Sequence, residues 1–425
     1  MSRLWRCLLV VCLVAMTMPV PVTVAAVESL VPPPFDQCVP PMRLLAGQQA
    51  SGALFFACVP PDWNGSLVIF AHGYVAPNEP PTKFLEQLLL PDGSTIPALV
   101  LSLKYAFATT SYSKNGLAVT EGLADVRDLA TLFKAQFSAT QYIYLIGASE
   151  GGLVTTLAIE KAPLEFSGGL AMCGPIGNFR SQINYWGDFR TLFDYFFPDY
   201  KIPNSPVDIN ETLVWPNWAT ISQGLGLAVA TNTHATEQLL RTSRAPIDLA
   251  DPMSVISTTV GILSYNVFAT NEGQVELNGQ PFDNRYRIYV GSDNDWVLNR
   301  TIARFTPSAY ALMNIDRYYQ TSGRLTKPLI TLHNTGDPIV PYWHETLYNA
   351  KVLFNRSLSK HVNIPIVRYG HCNFTSTEAV GAFALLVYKV TGQLPPGLLQ
   401  TVPDVVQQQE LRQLMQLPIE VPNAQ

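Results

Sequence analysis

The sequence is poor in charge. Charged residues make up 14% of the 425, the net charge is −5 and the isoelectric point is about 5.7. No run of Lys or Arg forms a phosphate-binding stripe, which argues against a nucleic-acid partner. Histidine is scarce too, with six in the chain. No His or Cys spacing fits zinc, and no glycine-rich loop fits a nucleotide. Asp293 and Asp295 lie in a polar turn without the terminal glutamate of a calcium loop. No metal or cofactor is therefore expected. Internal repeats are missing. So is any segment after the N-terminus with enough unbroken apolar residues to cross a membrane, so no stable membrane anchor is expected.

What is present is apolar. Hydrophobic residues reach 48%, which makes the chain globular and not disordered. Its length suits one large domain with an insertion, or two domains. Residues 1–26 read as a signal peptide: Arg3 and Arg6 precede the apolar run Cys7–Met18, Pro19 and Pro21 break it, and Val24-Ala25-Ala26 offers a cleavage site. Export, to a periplasm or outside the cell, is expected. Cys7 and Cys12 leave with that segment. Cys38, Cys58, Cys173 and Cys372 remain, an even number that suggests two disulfides. Three pairings are open. Cys38 with Cys58 is the local choice and would leave Cys173 with Cys372. Five Asn-x-Ser/Thr sequons matter only in a eukaryotic host.

The middle of the chain alternates strands and helices. Gly52–Val59, Leu67–His72, Ala106–Thr110, Tyr142–Ile146 and Gly168–Cys173 read as strands; Val119–Phe137 and Leu153–Lys161 read as helices. This pattern predicts an α/β fold with a mostly parallel central sheet flanked by helices. Residues 27–174 form its first part. Residues 175–325 lose the alternation, carry a hairpin signal at Asn278-Gly279, and read as an inserted cap. Residues 326–393 resume the pattern, with strands at Pro328–Leu332 and Val362–Arg368 and helices at Trp343–Leu353 and Ser376–Val390. Residues 394–425 read as a tail packed on the core, with one helical stretch at Asp404–Met415.

Chemistry concentrates at strand ends. Gly147-Ala148-Ser149-Glu150-Gly151 joins a strand to a helix. Gly147 and Gly151 permit a sharp turn that pushes the Ser149 hydroxyl clear of the chain. Asp337 follows the strand ending at His333, where its carboxylate could orient a histidine ring. His371 follows the next strand. Phe70-Ala71-His72-Gly73-Tyr74 closes an early strand, which places the N–H groups of Tyr74 and Glu150 to bind an oxyanion, with His72 and Gly73 shaping that loop.

With these motifs the chain resembles a secreted serine hydrolase of the α/β-hydrolase superfamily. The order Ser149, Asp337, His371 is that fold's order of nucleophile, acid and base. The resemblance implies the α/β-hydrolase fold, hydrolysis through an acyl-enzyme on Ser149, and no cofactor. The His371-Cys372 pair is similar to that of tannases and feruloyl esterases, where a cysteine beside the histidine bonds one beside the serine. Ala148 precedes Ser149 here, so that pairing is absent. A Cys173–Cys372 bridge would brace the histidine loop in a related way.

The cap carries an aromatic cluster that includes Trp186 and Phe189. With Tyr74 they are candidates for an apolar or aromatic substrate pocket, although helix core packing also explains such residues. A small-molecule or polymer ester is the expected substrate. The extra glycine of Ser149-Glu150-Gly151-Gly152 also resembles prolyl-peptidase elbows, so a secreted serine peptidase is the second expectation. A non-catalytic binding module is the third.

Overall fold

The computed structural model describes Phe35, residues 38–398 and Gln409. The expected signal peptide, residues 1–26, and the expected tail helix Asp404–Met415, except for Gln409, lie outside the described residues.

The first half contributes β1 (Arg43–Gln48), β2 (Leu54–Val59), β3 (Ser66–Ala71), α1 (Ile96–Ser102), β4 (Ala106–Thr110), α2 (Val119–Gln136), β5 (Tyr142–Ala148), α3 (Glu150–Lys161) and β6 (Gly168–Met172). The chain then leaves the sheet for α4 (Phe179–Phe196), the short pair β7 (Asn204–Ser205) and β8 (Asp208–Ile209), α5 (Glu211–Val214), α6 (Trp218–Thr231), α7 (Thr233–Ser243), α8 (Met253–Glu276), α9 (Asp295–Thr301) and α10 (Ala309–Asn314). It returns with β9 (Leu329–Gly336), α11 (Trp343–Phe354), β10 (His361–Tyr369) and α12 (Ser376–Thr391).

Eight strands form one sheet in the order β1-β2-β4-β3-β5-β6-β9-β10. β2 runs antiparallel to both neighbours, and every pair from β4 to β10 is parallel. This is the α/β-hydrolase fold. Strands β3, β4 and β6 are buried along their whole length, which is why they read as continuous apolar runs. Consecutive residues of β6 show the two helical layers. A Cβ on Gly168 would meet Leu386 and Val390 of α12, and one on Gly169 would meet Ile159 and Thr155 of α3. Side chains alternate across a sheet, so α12 and α3 cover opposite faces. The Thr375–Glu378 capping box starts α12, and Gly392 ends it in the left-handed region.

Two elements depart from the sequence reading. β1 was not expected, because its half-exposed residues show no alternation; pairing with β2 makes it a strand. Asn278-Gly279 turns no hairpin. Both residues have positive φ, 56° and 137°, and they follow the C-terminus of α8.

The cap has its own apolar core, to which α4, α6, α7 and α8 contribute. Helix α8 is long, and over 18 residues its mean hydropathy reaches 1.2, enough by length and composition to span a bilayer. It packs against α4 and α6. Hydrogen bonds tie the cap to the loop after β9: Tyr185 donates to the Pro338 carbonyl at 2.8 Å, and Trp186 and Gln182 donate to the Ile339 carbonyl at 3.0 and 2.9 Å. The Tyr74 hydroxyl donates to the Phe268 carbonyl of α8 at 2.8 Å. These bonds set the cap over the C-terminal edge of the sheet.

Candidate active site

Ser149 sits between β5 and α3 with φ 56° and ψ −120°. That is a left-handed backbone for a residue with a side chain, and it costs on the order of 1 kcal/mol or more. Close packing enforces it. A Cβ on Gly147 would lie 2.2 Å from the Gly151 carbonyl oxygen, and one on Gly151 would lie 2.0 Å from the Ala71 carbonyl oxygen. Only hydrogen fits at either position, so β3, β5 and α3 converge on the serine.

The Ser149 Oγ lies 2.9 Å from His371 Nε2, and His371 Nδ1 lies 2.7 Å from Asp337 Oδ2. A carboxylate only accepts, so Nδ1 carries the proton and Nε2 offers its lone pair to the serine hydroxyl. Asp337 is fully buried and divides its oxygens between two tasks. Oδ2 faces His371, while Oδ1 accepts the N–H groups of Ile339 and Val340 at 2.8 and 3.0 Å. Burial alone would raise this carboxyl. The charges and hydrogen bonds of His371 and His333 outweigh it and hold the carboxyl down at about 2.

Sequence reasoning placed no role on His333 or Glu345. Both are buried behind Asp337. His333 Nε2 lies 2.7 Å from the Val340 carbonyl and 3.6 Å from Asp337 Oδ2, and its Nδ1 lies 3.1 Å from Glu345 Oε1. Each nitrogen faces an acceptor, which favours the doubly protonated ring. Burial opposes that charge, but Asp337 and Glu345 together raise the ring to about 10. Thr331 and Asn363 donate to the other Glu345 oxygen at 2.6 and 2.8 Å. A histidine four residues before Asp337 was the one signal in the sequence.

The loop after β3 lies against the elbow. Gly73 donates to Gln87 Oε1 at 2.6 Å, and Gln87 Nε2 donates back to the Tyr74 carbonyl at 3.1 Å. Gln87 thus clamps the loop, another role with no motif to announce it. Among the described residues, the N–H groups of Tyr74 and Glu150 have no protein acceptor. His72 is buried, stacks on Tyr112 at 3.8 Å between centroids, and has its Nδ1 2.7 Å from the Gly73 carbonyl. Burial lowers its ring to about 4, so it is neutral at pH 7.

Two disulfides are present. Cys38–Cys58 joins the segment before β1 to β2, and Cys173–Cys372 joins the end of β6 to the histidine loop. Cys173, Ser149 and Cys372 all have left-handed backbones, with φ of 47°, 56° and 51°.

A cavity opens at Ser149 beneath the cap. Tyr74, Glu150 and Trp186 line it, and so does Tyr265, which sequence reasoning missed. Tyr265 stacks on Trp186 at 5.0 Å and shares the cavity wall with Ser149. Phe189 does not line this cavity. It is fully buried in the cap core, because it sits further round α4 than Trp186. The Glu150 carboxyl is pushed up to about 8 by burial, against the pull of the Ala118 N–H that it accepts at 2.8 Å.

No protein-family model and no curated protein matches the sequence. Several solved structures are similar in architecture. An esterase from Aspergillus oryzae is 13% identical over 83% of this chain and 80% of its own, with a TM-score of 0.47. Feruloyl esterase B from Aspergillus oryzae is 15% identical over 83% of this chain and 81% of its own, with a TM-score of 0.42. An acylaminoacyl peptidase, in complex with Z-Gly-Gly-Phe-chloromethyl ketone, is 10% identical over 83% of this chain, with a TM-score of 0.40. The chain spans 41% of that peptidase's length.

Proposed function

We propose that this chain is an exported serine hydrolase that cleaves carboxylic esters with an apolar or aromatic group. The observation that carries the reading is the continuous relay from Ser149 through His371 to Asp337, at 2.9 and 2.7 Å, on a serine held in a left-handed turn. Ser149 Oγ attacks the ester carbonyl carbon while His371 Nε2 takes its proton. The carbonyl oxygen becomes an oxyanion that the Tyr74 and Glu150 N–H groups bind. One such donor is worth about 3–4 kcal/mol of transition-state stabilisation. The carbon–oxygen bond to the alcohol then breaks, and His371 returns the proton to the leaving oxygen. Water, deprotonated by the same nitrogen, attacks the acyl-enzyme and releases the acid and free Ser149. No cofactor takes part in these steps. Asp337 keeps His371 in the tautomer that can accept, and the Cys173–Cys372 bridge holds the loop that carries it. That bridge serves as the brace that tannase-like enzymes place beside their serine.

The same reading assigns residues 1–26 to a cleaved signal peptide, residues 27–174 and 326–393 to the hydrolase core, and 175–325 to the substrate-selecting cap. Small-molecule or polymer esters are the substrates, and neither nucleic acid nor a membrane anchor is involved. Ester chemistry is favoured over peptide chemistry by the cavity wall at Ser149, which offers one carboxyl, Glu150, and otherwise little charge to hold a peptide terminus.

Parallel assays with p-nitrophenyl esters and peptide anilides test the proposal. Ester turnover is expected to dominate, and Ser149→Ala to lower it by about 10⁴-fold or more. Faster turnover of the anilides would turn the reading to a peptidase.

A further inference from the structure

The cavity at Ser149 follows one stripe of α8. Tyr265, Ala269 and Gly273 line it, four residues apart and so on one face of the helix. From Tyr265 to Gly273 the helix rises about 12 Å. Side chains shrink along the stripe, from a ring beside Ser149 to a methyl and then a hydrogen, before Leu277 closes it with a larger side chain. A Cβ added at Gly273 would meet nothing within 4 Å, although the residue is buried. The cavity at Gly273 is therefore open space against bare helix backbone, short of Leu277.

In the wall, Asn266 and Thr270 commit their side-chain polar atoms elsewhere, and Gln274 commits its amide nitrogen. Asn266 accepts from Arg190 and donates to the Pro206 carbonyl, at 3.0 and 2.9 Å. Thr270 donates to the Asn266 carbonyl at 2.5 Å, and Gln274 to the Val207 carbonyl at 2.6 Å. The wall they share is mostly hydrocarbon. Glu150, at the Ser149 end, is a neutral acid at pH 7 because burial has pushed it up to about 8.

His371 does not line this cavity. It must protonate the leaving oxygen, so the alcohol lies on the His371 side. The cavity then takes the other substituent of the carbonyl carbon. We propose that it holds the acyl group, and that this group is a straight saturated chain of about eight to ten carbons, gauged along α8 by Ala269 and Gly273. An extended chain advances about 1.2 Å per bond, so about ten bonds cover the rise from Tyr265 to Gly273. This inference rests on the ester-hydrolase reading and sharpens it.

Two measurements test it. In the first, kcat/KM is followed over p-nitrophenyl esters from acetate to laurate, with benzoate included, for the wild type and Gly273→Leu. Leucine favours a helix more than glycine does, so α8 is retained. The wild type should peak at about eight to ten carbons, about tenfold or more above acetate. Gly273→Leu should lower the decanoate-to-acetate ratio by about tenfold and move the peak to shorter chains. A wild-type peak at acetate or benzoate overturns the proposal, as does an unchanged profile in Gly273→Leu. The second measurement needs no catalysis. Calorimetry on Ser149→Ala should show decanoate binding that Gly273→Leu weakens about tenfold, and no comparable benzoate binding. Failure of decanoate to bind overturns the acyl site. Decanoate binding by a protein whose wild type hydrolyses no ester supports the chain site and removes the ester-hydrolase reading alone.

Discussion

The C-terminal edge of the sheet and the helical cap above it hold their shapes by different means. At the edge, backbones touch. Gly147 and Gly151 leave no room for a methyl group, three residues with side chains sit in left-handed conformations, and a disulfide ties two loops together. In the cap, side chains touch. Its core is a broad apolar cluster threaded by one fully buried cation, Arg190 of α4. Arg190 donates to Asp194, to Asn266 of α8 and to the Ile202 carbonyl, at 2.8–3.0 Å. Backbone contacts fix atoms to within tenths of an ångström and tolerate almost no change. Side-chain packing tolerates exchange at similar volume. The proposed chemistry therefore lies on the rigid part, and the proposed acyl chain meets the adaptable part.

The largest effect that would separate the two regions is Gly151→Ala. One methyl group there would press on the Ala71 and His72 carbonyls, which must shift and carry the oxyanion loop with them. Activity should fall about 10³-fold or more, because misplaced donors and a misplaced serine both raise the barrier. Turnover assays on protein with normal circular dichroism would show it. Near-normal activity would mean that the elbow is less constrained than its contacts imply.

Next in size is Arg190→Ala, which leaves Asp194 and Asn266 without their buried donor. Unfolding free energy should drop by about 3–5 kcal/mol, read from urea denaturation. The protein that remains folded should still carry a reactive Ser149. Loss of reactivity without loss of stability would break the division between a chemical edge and a supporting cap.

The smallest effect concerns His333. Its ring is held protonated beside Asp337, since its folded value of about 10 lies above the usual 6.5. The stabilisation from that proton is fully present below about pH 6.5 and is lost as pH rises through about 10. Removing this cation in His333→Gln lets the Asp337 carboxyl rise from about 2 toward the ordinary carboxylate value of 3.8. Asp337 stabilises the fold above about pH 4, and that contribution, lost as pH falls toward about 2, should be smaller in the variant. Urea denaturation at about pH 5 and about pH 3 should show the variant losing less stability between the two than the wild type does, and an equal loss would make His333 a packing residue only.

These differences also explain what the sequence disclosed. Ser149, Asp337 and His371 were legible because each follows a strand, and the glycines around Ser149 have a backbone consequence that can be read locally. The layers of the sheet were legible for the same reason, as runs of buried strand residues. β1 was not, because its partner and not its pattern makes it a strand. Trp186 and Phe189 were read alike, yet one lines the cavity and the other fills the cap core. About 60° of helix rotation separates them, which composition cannot resolve. Gln87, Glu345 and Tyr265 reach the site from distant elements, so nothing near the motifs announced them. Asn278-Gly279 misled because the left-handed residues that make hairpin turns also end helices.

The most direct test of this division is to treat the folded, disulfide-intact protein with a fluorophosphonate and map the adduct by mass spectrometry. One adduct is predicted, on the peptide that contains Ser149, and its formation should slow by about 10³-fold or more in His371→Ala. A folded protein that stays unlabelled, or labels at another serine at the same rate in both forms, would contradict the account.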